Sequence, residues 1–344
     1  FVTGFADIVG NTALKLSKGN ELLLLLFSMI AVGGLSTVLS NTGTTCVAVP
    51  MIMGMCASAK IAPSKILIPV AFASSLGGTA TLVGTPPNGI VNSVMEQVGI
   101  QPFGFFEFGK FGLILFAAGI LYYALIGHRF LPKDRAGEDH LFGSELKERR
   151  TNKMPWSIGI FAFVVVAMVT GILPLTTAAV LGACLVVITR CMSMKEAFAC
   201  VDWVTIFLFA GMLSMSAAMQ KSGAAALVAH TVVSHVSGPY MLMFVSCALT
   251  MLITNFMSNT ATAALMAPLA LPIAVGGGVS PLPLMMGIAM SASACFLTPI
   301  ATPPNTIVMT PGRYTFVDYI KAGWMLQLIS LVLCVVIIPM IWPF

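Results

Sequence analysis

Two stretches place hydroxyl and amide side chains inside apolar sequence: LSNTGTTCVAVP at Leu39–Pro50 and MSNTATAALMAP at Met257–Pro268. Each holds Ser-Asn-Thr, with a proline ten residues after the serine. A second pair follows. TPPNGIV starts at Thr85, 45 residues after Ser40, and TPPNTIV at Thr302, 44 residues after Ser258. Hydroxyl oxygens, Asn amide oxygens and free backbone carbonyls suit Na⁺. Free N–H groups at helix starts, with Asn amides and Thr hydroxyls, suit an anion. No Lys, Arg, Asp or Glu lies within or right beside these motifs, and the nearest in sequence are Glu96 and Arg313. An anion there is held by dipoles, hydrogen bonds and co-bound cations, which favours reversible binding.

The motifs also define the elements that carry them. Pro86-Pro87 and Pro303-Pro304 offer no N–H and must break or kink a helix. Gly77-Gly78 and Gly84 loosen the first break further. A break leaves carbonyls open at one helix end and N–H groups at the next, and Ser, Asn and Thr are good caps. A shift of 218 positions overlays Ser40-Asn41-Thr42 on Ser258-Asn259-Thr260, Thr44 on Thr262 and Pro50 on Pro268. A lone polar residue in an apolar helix serves mostly as helix–helix glue. Two motifs recurring at matched spacing instead mark two copies of one unit. Thr176, Thr177, Ser214 and the Met285–Met290 stretch are read as packing, and Glu196 and Asp202 as solvated span edges.

Composition places these units in a bilayer. Charged residues make up 8% of the chain and apolar ones 58%, against roughly 25% charged in a soluble domain. Apolar runs approach the roughly 20 residues that span a bilayer core, as in Glu21–Leu39, Phe111–Ile126, Trp156–Leu173, Met241–Phe256 and Trp324–Phe344. The expected fold is an all-α polytopic membrane protein, since a transmembrane barrel would show short alternating segments. The eight cysteines have no C-x-x-C pair and the four histidines are dispersed, so neither disulfide nor metal cluster is expected. No paired carboxylates or nucleophile–base pair points to an enzyme. The net charge of +5 follows from topology and implies no nucleic-acid partner.

Seven of the 17 Lys and Arg fall between His128 and Pro155, which places that linker in the cytoplasm. Counting crossings outward leaves Lys110 and Lys221 outside, a split of fifteen to two. The first Ser-Asn-Thr segment then enters from the cytoplasm, the second from outside, and the C-terminus lies outside. Two like units with opposite entry form an inverted repeat. The expected first repeat is 1–131, with a re-entrant hairpin at 19–59, a broken helix at 64–98 and a span at 109–131. A cytoplasmic linker covers 132–154. The second repeat is 155–344, with spans at 155–173, 175–192 and 202–220, a hairpin at 238–275, a broken helix at 281–310 and a span at 321–343. The chain starts at Phe1, and Phe1–Gly4 aligns near Gln220–Gly223. At least two to three further spans are therefore expected before it.

Ser-Asn-Thr in two hairpins, each followed by Thr-Pro-Pro-Asn, resembles the divalent anion:sodium symporter family of dicarboxylate, citrate and sulfate transporters. The likeness covers nearly the whole chain. It implies a homodimeric inverted-repeat transporter in a bacterial inner or plasma membrane. Two re-entrant hairpins and two broken helices then move against a scaffold in an elevator-type cycle. It implies Na⁺ as the coupling ion and no organic cofactor. A first sodium site falls on Ser36, Ser40, Asn41 and Gly84, and a second on Thr254, Met257, Asn259 and Ala301. Substrate contacts fall on Asn41, Thr42, Thr85, Asn259, Thr260, Thr302 and Pro303. Ser36 and Thr254 each precede their triplet's serine by four residues, which puts them on the tip's helix face. The expected activity is sodium symport of a divalent anion, first a C4-dicarboxylate such as succinate, malate or fumarate. A sodium-independent dicarboxylate exchanger, a sulfate or other oxyanion permease, and an efflux subunit with a soluble ATPase partner stay open.

Overall fold

The structure, a computed structural model, describes residues 20–132, 151–169, 172–173, 175–199 and 238–344, with scattered positions among 201–236. Residues 1–19, residues 133–150 of the expected linker and most of the expected span at 202–220 lie outside the described residues. Among the described residues all regular structure is helical.

The first motif unit begins with α1 (Glu21–Ser36) and α2 (Asn41–Ala59). Asn20 starts α1 by accepting from the N–H groups of Leu22 and Leu23. Ser40 starts α2, its hydroxyl accepting from Gly43 N–H at 3.2 Å. The tight link between them is therefore set by the cap. Then come α3 (Leu67–Gly78), the unwound segment 79–85, α4 (Pro86–Gln97) and α5 (Gly109–Leu125). The middle of the chain contributes α6 (Met154–Val169), α7 (Leu175–Ile188) and α8 (Met194–Ala199).

The second unit repeats the order. α9 (Pro239–Thr254) and α10 (Asn259–Gly277) meet at a short link capped by Ser258, whose hydroxyl accepts from Ala261 N–H at 3.2 Å. α11 (Pro281–Ser293), the unwound segment 294–302, α12 (Pro303–Met309) and α13 (Phe316–Ile341) follow. The caps match in backbone as well as in type: Ser40 has φ/ψ of −62/141 and Ser258 of −64/148. Pro50 and Pro268 sit inside α2 and α10.

The packing is reciprocal. α1 packs on α3, α3 on α5, and correspondingly α9 on α11 and α11 on α13. The short helices cross over. α4 packs on α10 and α11 of the other unit, while α12 packs on α2 and α3. Every residue of α3 is buried, as is most of α11. Phe72, midway along α3, links the units: its ring lies 5.0 Å from Phe296, just beyond α11, and 6.4 Å from Tyr319 on α13. Offset and tilted aromatic contacts of this kind add to plain area burial. Tyr314, beyond α12, ties the units again: its hydroxyl donates to Ser64 O at 2.8 Å and accepts from Ile68 N–H at 3.2 Å.

α2, α10 and α13 are long and apolar enough to cross a membrane. Shorter apolar helices, α1, α5, α6, α7, α9 and α11 among them, accompany them. Exposed Leu121, Leu125, Val332 and Met340 on α5 and α13 suit contact with lipid.

Candidate functional site

Asn41, the first residue of α2, is buried beside the first break. One terminal atom of its side chain lies 2.7 Å from the Ser36 hydroxyl, 3.1 Å from the Ser74 carbonyl and 3.0 Å from the Gly84 carbonyl. Carbonyls can only accept, so the amide nitrogen faces this side and donates. The other amide atom then lies 3.5 Å from the Thr85 hydroxyl. The Ser74 hydroxyl donates to Asn41 O at 3.0 Å and meets Ser36 Oγ at 3.2 Å. Three oxygens from α1, α3 and the break thus converge on one amide.

Glycine makes the approach possible. A Cβ on Gly78 would run into the Asn41 side chain and come within 2.9 Å of Gly84 O, and one on Gly84 would run into Gly78 O. The spacing of Gly78 and Gly84 serves this contact more than general looseness of the break.

Of the first expected sodium set, Ser36, Asn41 and Gly84 are brought together. Ser40 is not joined to them; its exposed hydroxyl caps α2. Ser74 joins the cluster through both its hydroxyl and its carbonyl; it stands outside the two repeated motifs, and the carbonyl is a backbone group that any residue could supply.

The second set is arranged differently. The Thr254 hydroxyl donates to Ala292 O at 2.7 Å. Asn259 Oδ1 accepts from Thr260 N–H at 2.9 Å, within its own helix start. Ala301 is buried, Met257 is exposed, and no hydrogen bond joins Asn259 to Thr254 or Ala301. The two units therefore share a backbone plan but not a side-chain state.

Among the expected substrate contacts, Thr85, Thr260 and Thr302 are buried, and Thr42 and Pro303 are exposed at helix starts. Thr85 and Thr302 open α4 and α12 from extended backbone, with φ/ψ of −139/140 and −144/143. Two prolines follow each, so the first two positions of α4 and α12 supply no donor. The expectation of free N–H groups at the breaks is narrowed accordingly. The open backbone donors are therefore at the starts of α2 and α10, while the Thr85 hydroxyl already faces the Asn41 amide at 3.5 Å. Thr85 Oγ1 also lies 3.5 Å from Ser293 Oγ on α11, a hydroxyl contact between the two units. No hydrogen bond joins Asn41 or Thr42 to Asn259, Thr260 or Thr302 among the described residues; the two sets are related through the crossed packing of α4 and α12.

Such a site has caps, carbonyls and hydroxyls but no acid, base or nucleophile at its centre. Buried polar helix ends inside a set of apolar helices define an integral membrane protein of the transporter class. The chain matches the CitMHS model, described as citrate transporter, over residues 2–278 and 237–344, and it belongs to that family.

Its relatives agree with this class. It is 24% identical to the transporter YfbS of Escherichia coli K12, over 99% of this chain and 88% of that protein. It is 28% identical to a Haemophilus influenzae transporter, over 97% and 76%. It is 24% identical to the sodium-dependent dicarboxylate transporter SdcS of Staphylococcus saprophyticus, over 93% and 69%. The resemblance to divalent anion:sodium symporters drawn from the motifs is thereby met.

Proposed function

We propose that this transporter carries a divalent anion together with Na⁺, and that a C4-dicarboxylate is its first substrate. The observation that carries the reading is the Asn41 cluster. Its acceptors, Ser36 Oγ, Ser74 O and Gly84 O, are the neutral oxygen set that Na⁺ prefers, and an amide nitrogen occupies the position facing them. Were the Asn41 oxygen to turn to that side, four oxygens would surround one point and require a cation. Na⁺ would supply positive charge beside an anion bound where no Lys or Arg is near. Thr254, Met257, Asn259 and Ala301 are the second candidate set, which Asn259 completes by leaving Thr260.

The anion is assigned to Asn41, Thr42, Thr85, Asn259, Thr260, Thr302 and Pro303. The sodium-dependent dicarboxylate transporters among the relatives support both halves of the reading. The repeated element order and the crossed packing of α4 and α12 support an inverted repeat of 1–131 and 155–344 joined by a cytoplasmic linker, with the C-terminus outside. On this reading the hairpins and broken helices move as one body in an elevator-type cycle within a homodimer.

The test is uptake of labelled succinate, citrate and sulfate by proteoliposomes, with and without an inward sodium gradient. Sodium-stimulated succinate uptake is expected. Uptake indifferent to sodium but stimulated by internal dicarboxylate would replace symport with exchange.

A further inference from the structure

The fourth residue of each Thr-Pro-Pro-Asn motif has no place in the sites above, yet both copies make one matched bond with it, beside a second that differs, to Thr79 O at 3.4 Å in the first unit and Cys295 O in the second. Asn88 Nδ2 donates to Thr81 O at 2.8 Å, and Asn305 Nδ2 donates to Thr298 O at 3.0 Å and Cys295 O at 2.9 Å. Each amide thus reaches from the first turn of the short helix back to the unwound segment before it. The threonine so held reaches on in turn. Thr81 Oγ1 donates to Thr37 O, and Thr298 Oγ1 donates to Asn255 O at 2.6 Å. Thr37 and Asn255 are the residues that end α1 and α9. In both units one relay of two side chains therefore joins the short helix, the break and the end of the hairpin's first arm.

The orientation of these amides has a cost that identifies their task. Asn88 Oδ1 and Asn305 Oδ1 are buried without a hydrogen-bond partner. A buried acceptor left unpaired is destabilising. The same loss accepted at both matched positions means that the donor side is what is needed. Unwound carbonyls at membrane depth must be satisfied from within the protein. Satisfying them through a residue anchored to the hairpin also sets how far the break lies from the helix start of α2 or α10.

We propose that Thr81–Asn88 and Thr298–Asn305 are positioning pairs that hold each break in register with its hairpin tip, Gly84 O toward Asn41 and Ala301 toward Asn259. They do not contact the ion or the anion. The inference rests on the proposed site for its functional consequence but not for its structural one.

The test therefore reads both. Hydrogen exchange is followed on the whole protein in nanodiscs without substrate. The reporters are Leu82 N–H, bonded to Phe105 O, and Leu297 N–H, bonded to Asn255 Oδ1. Thr81→Val should raise exchange in 79–85 about ten-fold and leave 294–302 unchanged, with Thr298→Val the mirror case. Thr81→Ser, which keeps the hydroxyl, should exchange as wild type, and Asn88→Ala should repeat the Thr81→Val pattern. In proteoliposomes Thr81→Val should raise the sodium half-saturation with the maximal rate per folded molecule held within about two-fold. Unchanged exchange in both valine variants, or loosening of both breaks at once, overturns the proposal. If wild-type transport ignores sodium, the symport reading falls while the exchange result still decides the pairs.

Discussion

Asn41 and Gly84 meet through a single hydrogen bond of 3.0 Å, from a side chain at the first position of one helix to a carbonyl in the gap between two others. Gly78 stands against both. Two stretches about forty residues apart in the chain thus share one small volume, and a methyl group is enough to separate them.

Gly78→Ala places that methyl. Sodium half-saturation is expected to rise about 10-fold or more, from loss of a buried hydrogen-bonded contact. Sodium-dependent uptake by reconstituted protein measures it. Gly54→Ala is the control, because a Cβ there meets nothing within 4 Å. It should transport as wild type.

Gly77→Ala has a different outcome one residue away. Its Cβ would run into the Gly33 backbone where α1 crosses α3. The expected loss is of folded protein, seen as a lower yield of monodisperse material and a lower Tm, because close-packed helices have no room to give. A normal Tm with impaired sodium affinity would contradict this division of roles.

Ser293→Ala removes the hydroxyl that faces Thr85 from the other unit. The anion KM should rise about 2- to 10-fold, the scale of one hydrogen bond. Sodium half-saturation should hold, since Ser293 touches neither Asn41 nor the three oxygens of Ser36, Ser74 and Gly84 that surround its amide. Succinate kinetics at saturating sodium give the first number, and a sodium titration gives the second.

The two candidate ion sets should respond separately. Ser36→Ala removes a partner of Asn41 and Ser74, whereas Thr254→Val removes the donor to Ala292 O. Each is expected to weaken sodium dependence, and the double variant to lose more than either single one. Equal loss in the single and double variants would mean that one ion spans both sets.

Acid should loosen the loop before α5. Partial burial pushes the Glu107 carboxyl up, but Gly104 N–H, the Trp342 indole and the Lys110 ammonium outweigh it and hold the group below the usual carboxylate range. The carboxylate's contribution is complete above the ordinary Glu value of about 4.3 and is lost as pH falls below it through the folded-state value. Thermal unfolding in detergent between neutral and acid pH should show this loss in wild type. Glu107→Gln should be flatter over the same window.

Much of the architecture is legible in single motifs because their effects are local. Ser40 and Ser258 cap helices through their own hydroxyls, and each Pro-Pro pair takes the first two positions of a helix, where a missing N–H costs nothing. Ser293 could not be found that way. Its counterpart at the repeat spacing is Leu76, so a search for matched residues passes over it. Nor does Asn259 repeat the side-chain arrangement of Asn41 despite an identical motif. Its Oδ1 is held by the Thr260 N–H inside its own helix start, whereas the Asn41 amide reaches out to Ser36, Ser74 and Gly84.

By itself the sequence determined the class of protein, the doubled unit, the helix starts at Ser-Asn-Thr and the breaks at Thr-Pro-Pro-Asn. Composition sets the solvent that the chain can tolerate, and caps and prolines act on the backbone within a turn. Tertiary structure alone decided that α4 and α12 cross to the opposite unit, that Ser74 O joins Ser36 and Gly84 around Asn41, and that Thr81 and Thr298 tie each break to its hairpin. Those contacts run through backbone carbonyls, which every residue carries. Which carbonyl meets which donor is settled by how buried helices pack.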